Sequence, residues 1–327
     1  MTLGRYSFEK NYLGGISTLI GFAALAAGAG VLATTAAAQS TATPPAAATK
    51  KSAVHAVAGP QPGQQTFASA AEASETLIAA LHSDDQQALL KLLGPNAKDI
   101  VDSGDETADK NEREQIAEKY KQMHRLVMEP DGMTTLYVGA ENWPTPIPLV
   151  HKGTVWYFDT AAGKQQILYR RVGRNELATI QVCREMVDAE KEYYAQPHDG
   201  SDKHYAEKIF SDPGKQNGLY WKTANGEPES PIGPLVAAAA AEGYAEPNDA
   251  KSPHSFQGYY FKALKASGAT GGFAFVAFPA KYRASGVMTF LVDQNGVVYE
   301  KDLGPKTEET AKALTSYHRD ATWRKAD

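Results

Sequence analysis

Between residues 67 and 160 the hydrophobic pattern changes period, and a chain that does this must place helices and strands side by side. In "SAAEASETLIAALHSDDQQALLKLLGP", Leu77, Ile78 and Leu81 form one helical stripe, and Leu89, Leu90 and Leu93 form another. Ser83 or Asp84 is the expected cap of the second helix, and Gly94-Pro95 stops it. "DKNEREQIAEKYKQMHRL" predicts a third helix, with Asp109 as N-cap and Ile116, Tyr120, Met123 and Leu126 turned inward. Alternation then takes over. "MTTLYVGA", "PIPLVHKG", "TVWYFDT" and "KQQILYRR" read as strands between Gly, Pro and Asp turns. Helices followed by an antiparallel sheet give an α+β half, and the element order suggests a cystatin-like or NTF2-like (nuclear-transport-factor-like) cone.

The pattern repeats downstream. "GRNELATIQVCREMVDAEKEYYAQ" predicts a long helix, "HYAEKIFSD" a short one, and "PESPIGPLVAAAAAEGYAEP" a loop entering an Ala-rich helix. "GYYFKAL", "GGFAFVAFPA" and "GVMTFLVDQNGVVYEKDLG" predict three strands, and the last of these segments folds back as a hairpin. "KTEETAKALTSY" adds a helical turn or two. Asn295-Gly296 is the expected two-residue type I′ turn, with Phe290 and Val292 on one face and Leu291 on the other. The expected organisation is a signal peptide at 1–38, an Ala/Pro/Thr linker at 39–65, an N-terminal α+β half at 66–172 and a C-terminal α+β half at 173–327.

The N-terminus carries Arg5 and Lys10, then the uncharged stretch Ile16–Leu32, then "TTAAAQS" with small residues placed for cleavage after Ala38. The apolar stretch is shorter than the ~20 residues a membrane span needs, so no stable span is expected after cleavage. Residues 39–65 show no apolar period and read as a disordered linker. These features predict a periplasmic or secreted protein. Formal net charge is −5 without any basic block, which argues against nucleic acid as partner. Cys183 is the sole cysteine, so no internal disulfide can form. It falls near helical spacing with Ile180, Val187 and Tyr194, which predicts a buried apolar residue and no nucleophile.

Several segments together resemble a known family. "LGPNAKDIVDSGDETADKNER", "ENWPTPIPLV", "WYFDTAAGKQQILYRRVGRNEL", "SPIGPLV" and "SGVMTFLVDQNGVVYEKDLG" are similar to the exported bacterial proteins grouped as domain of unknown function 2950. The resemblance runs from about residue 66 to the C-terminus. It implies export and a shared fold, and it implies no reaction. One departure lies at "KASGATGG", which is shorter than the corresponding stretch of the family. The long helix followed by antiparallel strands also looks like the globular part of some pilin-like proteins, without a pilin signature.

Candidate sites are few. Arg170, Arg171 and Arg174 in "LYRRVGRNEL" can clamp a carboxylate or phosphate, or tie the two halves together through acidic partners. Trp143, Tyr220 and Trp221 lie beside Pro and Gly, where aromatic rings can stack on a ligand or cover a core edge. Asp102, Asp105, Glu106 and Asp109 offer hard oxygens for calcium, though Asp109 is better used as a cap. His198, Asp199, Asp202 and His204 offer donors for a transition metal, but their spacing fits no standard helical pair. Asp293 and Asn295 resemble the start of a calcium loop that lacks its later ligands. No G-x-S-x-G, H-E-x-x-H, P-loop or dinucleotide fingerprint occurs in the required context, and no cofactor is expected. The reading favours a non-catalytic binding or assembly module of the cell envelope, acting on an envelope protein or a small ligand. An envelope hydrolase and a pilus-associated structural protein are the alternatives.

Overall fold

The computed structural model describes residues 59–223, 229–245, 255–266 and 272–326. The expected signal peptide, most of the expected linker and most of the "KASGATGG" stretch lie outside the described residues. Residues 59–65, expected to be linker, pack on the body instead. Gln64 is buried, and its side-chain amide donates to the carbonyls of Leu92 and Phe158 at 3.0 and 2.8 Å. A polar residue with no apolar neighbours in sequence gives no periodic signal, yet it fills two backbone acceptors that would otherwise be buried without a donor.

The chain is α+β, with two antiparallel sheets. Helices α1 (Ala70–His82), α2 (Gln86–Leu93), the short α3 (Lys98–Val101) and α4 (Glu106–Gln122) come first. Strands β1 (His124–Met128), β2 (Thr134–Val138), β3 (Trp143–Pro144), β4 (Leu149–Lys152) and β5 (Val155–Phe158) form the first sheet. Its order is β1-β2-β4-β5, with β3 pairing β2. Phe67, Ile78, Leu81, Leu89, Leu92, Leu93, Leu149 and Phe158 meet in one core between helices and sheet.

Local corrections follow from backbone geometry. Asp84 occupies the left-handed region with φ 55°, so the next residue, Asp85, caps α2 by accepting from Ala88 N at 2.9 Å. Asp105, and not Asp109, caps α4, accepting from Ala108 N at 3.1 Å. The buried line of α4 is Asp109, Arg113 and Ala117, while Met123 is exposed. A charged buried line cannot be found by apolar periodicity.

The largest correction is helix α5 (Thr160–Tyr194), 35 residues long. "KQQILYRR" is not a strand but its second and third turns, and the expected boundary at 172/173 falls inside it. Asp159 caps it through Ala162 N at 3.3 Å. The β-branched and aromatic run at 167–169 suggested a strand, but the buried line Leu168, Arg171, Asn175 and Thr179 has helical spacing. Gly163 lets this helix start close to the β3–β4 loop; a Cβ there would lie 2.3 Å from Pro146 O.

Beyond α5, "HYAEKIFSD" forms no helix. Ile209 O accepts from Tyr220 N at 2.9 Å, Lys208 O accepts from Leu219 N at 3.1 Å, and Phe210 bridges Tyr220. Helix α6 (Gly233–Ala241) precedes β6 (Tyr259–Lys265), β7 (Phe273–Pro279), β8 (Met288–Asp293) and β9 (Tyr299–Asp302). Helix α7 (Thr307–Ala313) and the two-residue β10 (Arg324–Lys325) close the chain, and the second sheet runs β10-β9-β8-β7-β6. Every residue of β7 is buried, because both faces are covered. Phe273, Phe275 and Ala277 join Cys183, Met186 and Val187 of α5. Ala274, Val276 and Phe278 join Leu291, Ala311 and Trp323 on the far side. Phe290 and Val292 face α5 and Leu291 faces away, as the alternation predicts.

The hairpin turn differs from the expected type I′. Gly296 has φ 73°, Asn295 does not have a positive φ, and Gly296 N bonds Asp293 O at 2.9 Å. This is a four-residue turn, Asp293 to Gly296, whose last residue is a left-handed glycine, the three-residue-loop form of hairpin. Asp293 selects it by accepting from Asn295 N at 3.0 Å, a bond that holds Asn295 out of the left-handed region. No helix among the described residues is long and apolar enough to cross a membrane.

Candidate functional site

The arginine cluster lies where α5 passes the short helix α3. A one-turn helix leaves its last carbonyls without intrahelical donors. Arg171, buried, donates Nη1 to Asp99 O at 3.0 Å and Nη2 to Ile100 O at 2.8 Å. Arg113 donates Nη1 to Val101 O at 3.1 Å. Two guanidinium groups thus cap α3. Arg113 pairs with Asp84 at 2.5 Å, and the charge of Arg171 is balanced from α4. Glu112 accepts from Arg171 Nη2 at 3.2 Å and pairs with Arg174 at 3.5 Å, and Asp109 lies 3.7 Å from Arg171. Burial works against the Glu112 charge, but Arg171 and Arg174 outweigh it and hold the carboxyl below its ordinary range. Burial prevails at Asp109 and pushes it up, although Ser103 N donates to it at 2.8 Å.

The three arginines therefore divide. Arg171 is committed to the interior, Arg174 is half-exposed on Glu112, and Arg170 points outward over the Trp143 ring at 5.9 Å. Beside Arg170, Tyr169 and Leu177 are 70% and 65% exposed. They sit one turn either side of Gly173, where a Cβ would meet nothing within 4 Å. Aromatic, guanidinium and aliphatic groups share this outer face of α5.

Tyr220 and Trp221 do not join it. They pack against the opposite end of α5, at Tyr193, with Trp221 6.4 Å from that ring. The 22 residues from Arg171 to Tyr193 span about 33 Å along a helix axis. The structure thus separates the candidate ligand set into two places. His198 and His204 flank the same Tyr193, one stacked at 3.9 Å and the other edge-on at 5.7 Å. His198 Nε2 lies 2.9 Å from Tyr193 O, His204 Nδ1 lies 2.7 Å from Asp202 O, and Tyr193 Oη donates to Gln216 O at 2.6 Å. Asp199 accepts from Gln216 N at 2.9 Å. These contacts fasten the 196–218 loop to the helix end.

The acidic run 102–109 is also spent on structure. Asp102 pairs with Lys281 at 3.1 Å; burial opposes its charge, but the Lys281 and Gly104 donors keep the carboxyl below its ordinary range. Asp105 caps α4 with one oxygen and accepts from Gly258 N at 2.8 Å and Tyr244 Oη at 3.2 Å with the other. Asp293 is occupied by its own turn. Among the described residues no group of three or more His, Cys, Asp or Glu converges as a metal site would require. A shallow groove of about 320 Å³ follows the hairpin end, lined by Asp293, Asn295, Tyr299, Tyr317 and Arg319.

Sequence reasoning passed over Glu190. It is 1% exposed, accepts from Ala206 N at 2.9 Å, and burial pushes its carboxyl up to about 8. Its neighbour Tyr193 is raised to about 12, by burial first and then by Asp199, Glu190 and Glu207. The signal was present: Cys183, Val187 and Glu190 follow one helical line, and the line ends on buried Tyr193 while Tyr194 is exposed. Cys183 is fully enclosed, and burial pushes its thiol up to about 12.

Residues 64–326 match a family model described as Protein of unknown function (DUF2950). No curated protein and no solved structure matches the chain.

Proposed function

Because the chain belongs to the DUF2950 family, whose description assigns no activity, we propose from its sequence and geometry that it is an exported cell-envelope protein acting as a non-catalytic binding module. Its contact face is the outer side of α5, where Arg170 lies over Trp143 between exposed Tyr169 and Leu177. That grouping carries the reading. Tyr, Trp and Arg are the residues that dominate binding energy at protein interfaces, and large apolar groups left in water gain most from being covered. Arg171 supports the face from beneath, since it fixes this stretch of α5 on the α3 carbonyls. Export rests on the residues 1–38 and their small-residue cut after Ala38. The occupant it fits best is another envelope protein with an acidic, apolar patch.

The test is site-specific photocrosslinking in producing cells, with the probe at Tyr169 and at Leu177 and a control probe at exposed Lys312. Both face positions are expected to trap the same envelope molecule, and Arg170→Ala with Trp143→Ala should lower that yield at least about tenfold. Equal adducts from Lys312, or none from either face position, count against the reading. Intact mass of the purified protein checks export: a chain beginning at Gln39 is expected, and a retained N-terminus sinks that part.

A further inference from the structure

We propose that Asn295, at the tip of the β8–β9 hairpin, is a site of spontaneous covalent modification at which its side-chain amide becomes a carboxyl, while the fold protects the matching pair Asn217-Gly218. The chain has three Asn-Gly pairs, beginning at 217, 225 and 295. The pair at 225 lies outside the described residues. Glycine carries no Cβ, so the backbone nitrogen after such an asparagine can approach its side-chain carbonyl closely. The Gly296 nitrogen gives its proton to solvent base and bonds to Asn295 Cγ, and the Cγ–Nδ2 bond breaks to release ammonia. Water then opens the cyclic imide at either carbonyl. One opening leaves aspartate; the other leaves isoaspartate, with the Asn295 Cβ inside the main chain. Water is the sole co-reactant.

The two described pairs share the local sequence Gln-Asn-Gly and have opposite surroundings. Asn217 is half-buried and clamped by the other side of its loop. Asp212 N donates to its Oδ1 at 3.0 Å, and its Nδ2 donates to Asp212 Oδ2 at 2.8 Å. Gly218 N donates to Ser211 Oγ at 2.9 Å, and a Cβ at Gly218 would lie 2.7 Å from Ser211 N, so the backbone there has no room to turn. The next residue, Leu219, is fully buried in the core around α5. Reaching the attack geometry means pulling this segment off the core.

Asn295 is exposed, and the β8–β9 ladder ends at Leu291 and Tyr299, before the turn begins. Its restraints come from one residue of the same turn. Asp293 accepts from Asn295 N at 3.0 Å with one carboxyl oxygen and from Asn295 Nδ2 at 3.1 Å with the other, and Asp293 O accepts from Gly296 N at 2.9 Å. A Cβ at Gly296 would meet Val187 at 3.7 Å, an ordinary contact that leaves space for the rotation. Local opening of an exposed turn costs far less than opening a segment anchored in the core. The product puts a carboxyl where Asp293 had a donor, on the groove that Tyr317 and Arg319 also line, and like charges there loosen the turn.

Peptide mapping by mass spectrometry tests this on the purified protein, incubated for weeks near neutral pH. In the folded protein Asn295 is expected to turn into aspartate and isoaspartate at least about tenfold faster than Asn217. Unfolded in denaturant at the same pH, the two should react at similar rates, since the fold is what separates them. Asp293→Ala removes the side-chain restraints and should speed the folded reaction at Asn295 at least about threefold. Equal rates at 217 and 295 in the folded protein overturn the proposal. So does an Asn295 that stays an amide in the folded protein while the unfolded chain reacts.

Discussion

The two ends of α5 are buried by opposite means. Near Arg171 the helix brings a permanent charge inside and surrounds it with acceptors: two α3 carbonyls and Glu112, with Asp109 alongside. Near Glu190 it brings in a carboxyl with one backbone donor, Ala206 N, and packs aromatic rings around the neighbouring Tyr193. An arginine cannot shed its proton, so the fold must satisfy it. A glutamate can take one up, so the fold can leave it nearly alone. The first end should depend on partners and the second on pH.

Removing the permanent charge should have the largest effect. Arg171→Ala leaves two α3 carbonyls without their donor and takes the buried positive charge away from Glu112 and Asp109, and should cost about 4 kcal/mol in denaturant unfolding. Arg171→Lys should recover little, because a point ammonium cannot reach both carbonyls and Glu112 in one plane. Full recovery by Lys would mean that charge alone matters there.

The glutamate should reveal itself through pH. Its folded value lies near 8, against an ordinary 4.5. A raised acid holds its proton in the folded chain where the unfolded chain has lost it. Its contribution is complete below about pH 4.5 and declines as pH rises to about 8. Glu190→Gln should flatten that decline and leave the variant more stable than wild type by about 3 kcal/mol at pH 9, after allowing for water reaching the ionised group. Parallel stability–pH curves for the two proteins would refute a protonated Glu190.

Asp105 sharpens the comparison, since it is a buried carboxylate supplied with donors. Asp105→Ala removes a helix cap and the bonds from Gly258 N and Tyr244, and should cost about 2 kcal/mol, again by denaturant unfolding. The smallest effect belongs to the hairpin turn packed on the Glu190 half, where Gly296 would place a Cβ 3.7 Å from Val187. Gly296→Ala should cost about 1 kcal/mol for its positive φ, and Asn295→Gly less than about 0.5 kcal/mol. A stabilising Asn295→Gly, as a positive φ at 295 would give, would restore the two-residue turn.

By itself the sequence determined the α+β class, the strands β6 to β9 with the facing of Phe290, Leu291 and Val292, the helices α1, α2 and α4, and the burial of Cys183. Apolar periodicity encodes all of these, because apolar groups leave water wherever they recur on one face. Tertiary structure alone decided the rest. The first half of α5 was illegible because its buried line is Leu168, Arg171, Asn175 and Thr179, and the acceptors that make it burial-competent lie about 70 residues away in α3. The caps at Asp85 and Asp105 depended on a left-handed Asp84 and on Gly258 approaching from the other sheet's side. The sorting of Arg170 outward and Arg171 inward, two neighbours of one kind, came only from which of them faced orphan carbonyls. Polar burial needs a matching group, and that group comes from another part of the chain.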